Sequence, residues 1–288
     1  MISVVILTKN ESNNIGPCIE SCRESDDIWV FDSLSSDDTP SIAKEMGAKV
    51  ECRAFDNYGA QREAARQLPY KYPWVLAIDA DERPEADLWA ELKSIAISEC
   101  PHSAFRVRRK DYLLGRWIKY SSLYPSWFIR FYRHYRVRYE PRAVHEYPEV
   151  DGTTGALKGH LIHDSFSKGL EEWLHKHVRY ASLEAGENLK SLNQGAANLD
   201  WSGLVSLEPV RRRKALKQLS FRLPFRPSLR FLYSYVLRGG FLDGHAGYQY
   251  AKMLSIYEQM IVLNMDEQKR SYSDSTFNSI KKLDHVDR

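Results

Sequence analysis

Along the first hundred residues, short apolar runs alternate with stretches whose apolar positions recur at helical spacing. "ISVVILT" precedes a helical pattern over Ser12–Arg23, "IWVFD" one over Asp37–Met46 and "KVECRAF" one over Tyr58–Leu68, and "WVLAID" closes the series. β-rich runs separated by helices predict βαβ units and a mostly parallel sheet, so the first half reads as α/β. Helix starts are marked by Ser12, by Asp37 with Asp38, and by Pro84 to Asp87 for a fourth helix. Trp74 to Ile78 are apolar without alternation, as in a strand buried on both faces, yet the run ends in Asp79, Asp81 and Glu82. In an open α/β sheet the carboxyl ends of the strands are where ligands bind. Thr8, Asn10 and Glu11 after the first strand, Asp32 at the end of the second, and Asp79 and Asp81 at the end of the fourth fall on that rim.

Beyond about residue 100 the pattern changes to longer extended runs rich in arginine and aromatic residues, "AFRVRRKDYLLGRWIKY" and "SWFIRFYRHYRVRYEP", which predict strands and loops extending the sheet. "AVHEYPEVDG" and "GALKGHLIHDS" follow. Lys168 to about Leu192 reads as a helix, with Leu170, Trp173, Leu174, Val178, Ala181 and Leu183 at mixed three and four spacing. Then comes a basic, aromatic segment from Arg211, broken by Pro224 and Pro227, and another helical pattern in "HAGYQYAKMLSIYEQMIVLN". From about Asp266 the chain turns polar, and poor order is expected there.

Composition narrows the function classes. A net charge of +3 over 288 residues argues against an obligate nucleic-acid binder, whose basic excess is larger and clustered. Seven Trp and seventeen Tyr exceed core needs and suit grooves, sugar sites or membrane-contact surfaces. Cys18, Cys22, Cys52 and Cys100 lack zinc-site spacing and read as reduced thiols. The N-terminal apolar run is too short for a signal sequence, and no run approaches the roughly 18 apolar residues of a spanning helix. A cytoplasmic protein is expected, peripheral on the inner membrane if it adheres at all.

With a turn after Asp79, the carboxylates of a D-x-D pair approach one hard cation, which fits a phosphate-bearing ligand; solubilising a strand end and capping a helix is the competing reading. The context favours the first. "VVILTKNES", "VFDSLSSDDT", "YGAQREAA" and "WVLAIDADE" occur in an order and spacing that resemble the nucleotide-sugar half of family 2 glycosyltransferases with the GT-A fold. "LLGRWIKYSSLYPSWFIRFYR", "AVHEYPEV" and "RGGFLDG" extend the likeness to lipopolysaccharide-core glucosyltransferase-like members of that family.

The resemblance implies that Thr8, Asn10 and Glu11 border the nucleoside, that Asp32 accepts a hydrogen bond from the base, and that Gly59 and Arg62 face the nucleotide. It places Asp79 by the ribose and a divalent cation, Mg2+ or Mn2+, with Asp81 as direct ligand and His163 completing the site. Glu146 is the expected base taking the acceptor hydroxyl proton, with Glu140, Glu149 and Asp151 as nearby competitors, and His145 orients it or contacts acceptor. Arg116, Trp117 and Arg130 are expected to hold diphosphate or an acceptor sugar, although alternating aromatic residues also suit a buried strand. Leu34 stands where many relatives have Gly, and Glu63 where Asn is common. The expected organisation is a GT-A domain over 1–165 (nucleotide-sugar half 1–100, acceptor half 101–165), a helical and membrane-contacting region over 166–265, and a polar tail over 266–288. The expected function is inverting transfer of a hexose from a UDP-sugar to a glycolipid or oligosaccharide acceptor. The competing classes are a sugar nucleotidyltransferase, against which "TKNES" replaces the expected glycine-rich loop, and a non-catalytic carbohydrate-binding protein adhering to an anionic membrane surface.

Overall fold

A computed structural model describes residues 2–140, 148–164, 166–194, 200–206, 208, 211, 212, 215, 219 and 225–283. The chain divides into two compact units, Met1–Lys119 with Leu123–Lys168, and Tyr120–Ser122 with Gly169–Arg288.

The first unit is the expected α/β sheet. β1 (Ser3–Thr8), α1 (Ser12–Ser21), β2 (Ile28–Asp32), α2 (Thr39–Glu45), β3 (Lys49–Cys52), α3 (Tyr58–Arg66) and β4 (Trp74–Asp79) alternate as predicted. After them come β5 (Glu82–Pro84), α4 (Ala86–Ile97), β6 (His102–Leu113), β7 (Arg116–Trp117), β8 (Ser126–Arg133), β9 (Val137–Tyr139), β10 (Pro148–Val150) and β11 (Thr153–His163). The strand order is β3-β2-β1-β4-β8-β6-β11-β5, with β7 paired on β6. β1 to β4 are mutually parallel, as crossover helices require. β8 runs antiparallel between β4 and β6, and β5 antiparallel along β11.

The unbroken apolar run of β4 is explained by two cores. Trp74, Leu76 and Ile78 pack with Val4, Ile6, Ile15, Cys18 and Ile19 on one face, together with Leu88 and Leu92 of α4. Val75 and Ala77 pack with Val5, Phe31, Ala65 and Tyr132 on the other. Trp74 stacks on Phe131 with ring centroids 4.7 Å apart. Each large side chain so buried contributes about 1.5–3 kcal/mol. Gly159 lets α4 lie directly on β11, because a Cβ there would sit 2.6 Å from the Leu88 Cα.

The second unit is helical. α5 (Gly169–Gln194) packs against α8 (Gly244–Leu283) through Ala181, Ala185, Ile261 and Met265. α6 (Trp201–Leu204) and α7 (Arg226–Leu232) lie between them in sequence. α8 runs past Asp266 to Leu283. The "RGGFLDG" segment is a tight packing device: Asp243 Oδ2 accepts from the Tyr120 and Ser121 amides at 2.9 and 2.8 Å, and a Cβ on Gly247 would meet the Gly240 carbonyl at 2.1 Å.

Candidate functional site

Parallel register aligns the strand ends that carry the predicted residues: Thr8 lies opposite Asp32, and Leu7 opposite Asp79. Asp32 is buried and bonded through both carboxylate oxygens. Its Oδ1 accepts from Thr8 Oγ1 (2.8 Å) and Ser35 Oγ (2.6 Å), and its Oδ2 from the Ser35 amide (2.7 Å). Asn10 adopts a left-handed φ of 54° and its Oδ1 accepts from the Ser36 amide at 2.8 Å, tying the β1 turn to the β2 loop. Leu34 also has a left-handed φ, 56°, which accounts for glycine as the ordinary residue there. The first amides of α1 are capped from across the rim and not by Ser12: Thr39 Oγ1 accepts from Glu11 N (2.7 Å) and Asp37 from Ser12 N (3.0 Å). Gly59 is buried in the first turn of α3.

The acidic strand end lies in a chain of alternating charges. Arg62 Nη2 donates to Asp79 Oδ1 at 2.9 Å, and Arg130 Nη2 donates to Asp79 Oδ2 at 2.5 Å and to Glu82 Oε1 at 2.8 Å. Glu82 is fully buried; its Oε2 accepts from the Asp79 amide (3.1 Å), and Arg109 Nη1 lies 3.6 Å from its Oε1. Arg109 Nε is 2.9 Å from Asp111 Oδ1, Asp111 Oδ1 is 2.6 Å from His163 Nδ1, and His163 Nε2 is 3.3 Å from Asp81 Oδ2. Burial opposes ionisation of Asp79, but Arg130 and Arg62 outweigh it and hold the carboxyl well below the usual carboxylate range. Burial alone would depress His163, yet hydrogen bonds to Asp111 and Asp81 push it up to about 9. Burial raises the Glu11 carboxyl, with Asn14 and Lys168 opposing; Lys168 Nζ lies 2.6 Å from Glu11 Oε1.

Of the three predicted cation ligands, Asp81 and His163 come together, whereas Asp79 is held by two guanidinium groups. Among the described residues no group of three or more His, Cys, Asp or Glu is arranged to hold a metal ion. The donor chemistry of Asp81 and His163 nevertheless suits Mn2+ or Mg2+, which takes few protein ligands and fills its remaining positions with phosphate and water oxygens. A cation shared by the pair would replace the proton between them.

Arg130 is therefore placed by the acidic strand end, bonded to carboxylates. Arg116 and Trp117 lie on the β6–β7 hairpin, outside this chain of charges; Trp117 meets Tyr124 edge-on at 5.0 Å. Glu146 and His145 lie outside the described residues. Glu63, the second departure from the family pattern, accepts from the Tyr139 amide at 2.9 Å and pairs with Arg66, joining α3 to β9. Arg109 and Asp111 were not singled out in the sequence. Their i, i+2 spacing puts them on one strand face, but only the register His163↔Asp111 shows which histidine they meet.

The rim of carboxylates, guanidinium groups and an imidazole lies at the carboxyl ends of a mostly parallel sheet, the place where open α/β folds bind their ligands. The family model for glycosyl transferase family 2 matches residues 3–150, and the chain belongs to that family. An uncharacterized glycosyltransferase of Rickettsia conorii is 41% identical over 98 residues, 34% of this chain and 34% of its own length. The chain thus spans about a third of the length of that relative. The lipopolysaccharide core biosynthesis glycosyltransferase LpsC of Rhizobium meliloti is 27% identical over 197 residues, 66% of this chain and 72% of LpsC. Glucosyl-3-phosphoglycerate synthase from Mycobacterium tuberculosis, solved with Mn2+, UDP and glucosyl-3-phosphoglycerate, overlaps 39% of this chain and 44% of its own at 22% identity and a TM-score of 0.33. An overlap of that extent carries no functional information.

Proposed function

We propose that this chain transfers a hexosyl group, with inversion, from a nucleoside diphosphate sugar of the UDP type to a hydroxyl of an oligosaccharide or glycolipid acceptor, assisted by Mn2+ or Mg2+. The observation that carries the reading is the pairing of Asp81 with His163 at the end of β4, beside an Asp79 gripped by Arg62 and Arg130. Family membership and the likeness to LpsC, a lipopolysaccharide core enzyme, support the substrate class.

Asp81 and His163 would hold the cation, which when bound neutralises charge on the leaving diphosphate. Arg62 and Arg130 fix Asp79 in one orientation and keep it an anion. Thr8, Asn10 and Asp32 lock the two strand-end turns together, giving the nucleoside a rigid wall. In this reading Glu146 takes the proton from the acceptor hydroxyl as it attacks the anomeric carbon.

The test is incubation of the purified protein with a panel of nucleotide sugars, with and without Mn2+. Slow release of UDP from one donor, stimulated by the cation, supports the reading and names the sugar. Absence of binding and turnover for every donor would remove it.

A further inference from the structure

The second unit carries an amphipathic segment turned inside out. Phe225, just before α7 with a left-handed φ of 58°, Leu229 and Leu232 of α7, and Tyr233, Val236 and Leu237 in the wider helical turn that continues it over Tyr233–Leu237 are all exposed, Phe225 at 79% and Leu237 at 73%. The opposite face holds the segment down. Phe231 stacks on Tyr235 with centroids 5.3 Å apart, Tyr248 of α8 meets Tyr235 at 5.6 Å, Arg226 pairs with Glu258, and Ser255 Oγ donates to the Pro227 carbonyl at 2.7 Å. A helix ordinarily buries the stripe that this one presents to water. An exposed apolar stripe of this length marks an interaction surface.

We propose that this stripe seats the protein on an anionic bilayer surface, the apolar side chains entering the headgroup boundary. Charge selects this occupant. Residues 211–242 contain nine Lys and Arg and no Asp or Glu, two of them, Arg211 and Arg226, paired with Asp200 and Glu258 outside the segment, in a chain whose whole net charge is +3. A second copy docking stripe to stripe would bring two such cationic segments together, whereas anionic headgroups attract them. Among the described residues no helix is long and apolar enough to cross a membrane, so the contact is one of lying on the surface. The stripe belongs to the helical unit and shares no residue with the sheet rim, so the proposal stands or falls apart from the transfer reading.

The experiment is sedimentation of the full chain with vesicles of phosphatidylcholine alone and of phosphatidylcholine mixed with phosphatidylglycerol. Binding to the mixed vesicles at low salt, and release near about 0.5 M salt, is expected. Val236→Glu with Leu237→Glu should reduce the bound fraction about tenfold at unchanged circular dichroism, since two charges would have to enter the boundary. Leu237→Trp, which leaves the stripe apolar, should bind, and the emission it adds over the seven tryptophans of the unsubstituted chain, taken as the difference spectrum, should shift to the blue on vesicle addition. Equal recovery in the supernatant with both vesicle types overturns the proposal. So does binding in which the Leu237→Trp difference spectrum stays that of an exposed indole, which would leave the cations alone holding the protein. Concentration-dependent self-association that the glutamate variant abolishes, without vesicle binding, would overturn it in favour of an interface between copies.

Discussion

Arg130 and Asp79 are joined by a 2.5 Å hydrogen bond from Nη2 to Oδ2, and the same nitrogen reaches the buried Glu82 at 2.8 Å. One guanidinium thus bridges two carboxylates at the end of a core strand, with Arg62 and Arg109 as their further partners. Removing it leaves Asp79 with Arg62 alone and the fully buried Glu82 with only the more distant Arg109, the costly half of a buried ion pair. Arg130→Met should lower unfolding stability by about 3–5 kcal/mol in urea titration. Arg130→Lys, which keeps the charge but not the fork, should lose less. An Arg130→Met midpoint equal to wild type would show that the chain of charges is not stabilising Asp79.

Asp81→Ala and His163→Ala should each abolish cation-stimulated donor hydrolysis, and the Mn2+-dependent rise in melting temperature in the presence of UDP should go with it. Asp81 is partly exposed, so the metal-free melting temperature should move little in Asp81→Ala, whereas His163→Ala also takes a partner from the buried Asp111 and should lower it. Full stimulation by Mn2+ in Asp81→Ala would place the cation elsewhere.

Glu146→Gln should keep donor affinity and lose turnover by at least about a hundredfold, because the amide fills the same volume without basicity. Calorimetric UDP titration beside a turnover assay separates the two effects. Collapse of donor affinity with turnover surviving at saturation would make Glu146 a binding residue.

Away from the rim, Asp27 is a buried staple: Ser3 Oγ donates to it at 2.5 Å, Lys49 Nζ at 2.8 Å and the Lys71 amide at 2.8 Å. Burial opposes its charge, but these bonds outweigh it and depress the carboxyl pKa in the folded chain. A depressed folded value gives stability that is present above the unfolded value, about 3.9, and is lost as pH falls through the folded one. Asp27→Asn should therefore cost about 1–3 kcal/mol at pH 7, a deficit that shrinks as pH drops below about 4. A deficit independent of pH would mean that the carboxylate charge contributes nothing.

The β4 strand and its acidic end were legible because a core strand that stops in carboxylates breaks the hydrophobic pattern in a way packing alone does not explain. The helices α1 to α4 were legible from spacing, but their caps were not: Asp37 and Thr39 reach back across the rim to α1, a contact between segments that local signals do not encode. Arg109 and Asp111 were hidden for a related reason. In "RVRRKDY" both alternating sets carry charged residues, and which face meets His163 depends on the register of β6 with β11. Asp79 was read as a cation ligand from the D-x-D spacing, while its two guanidinium partners come from α3 and β8, distant in sequence.

The pairing of β5 with β11 places His163 opposite Glu82 and leaves the Asp164 amide donating to the Asp81 carbonyl at 3.0 Å. Asp81 and His163 thus meet only when the last strand of the sheet has docked beside a three-residue strand formed far earlier in the chain. Such a long-range contact closes late, after the loop entropy between the two segments has been overcome. A nascent chain therefore carries all of its N-terminal motifs before it has this pair, and the arrangement is withheld until folding of the sheet is complete.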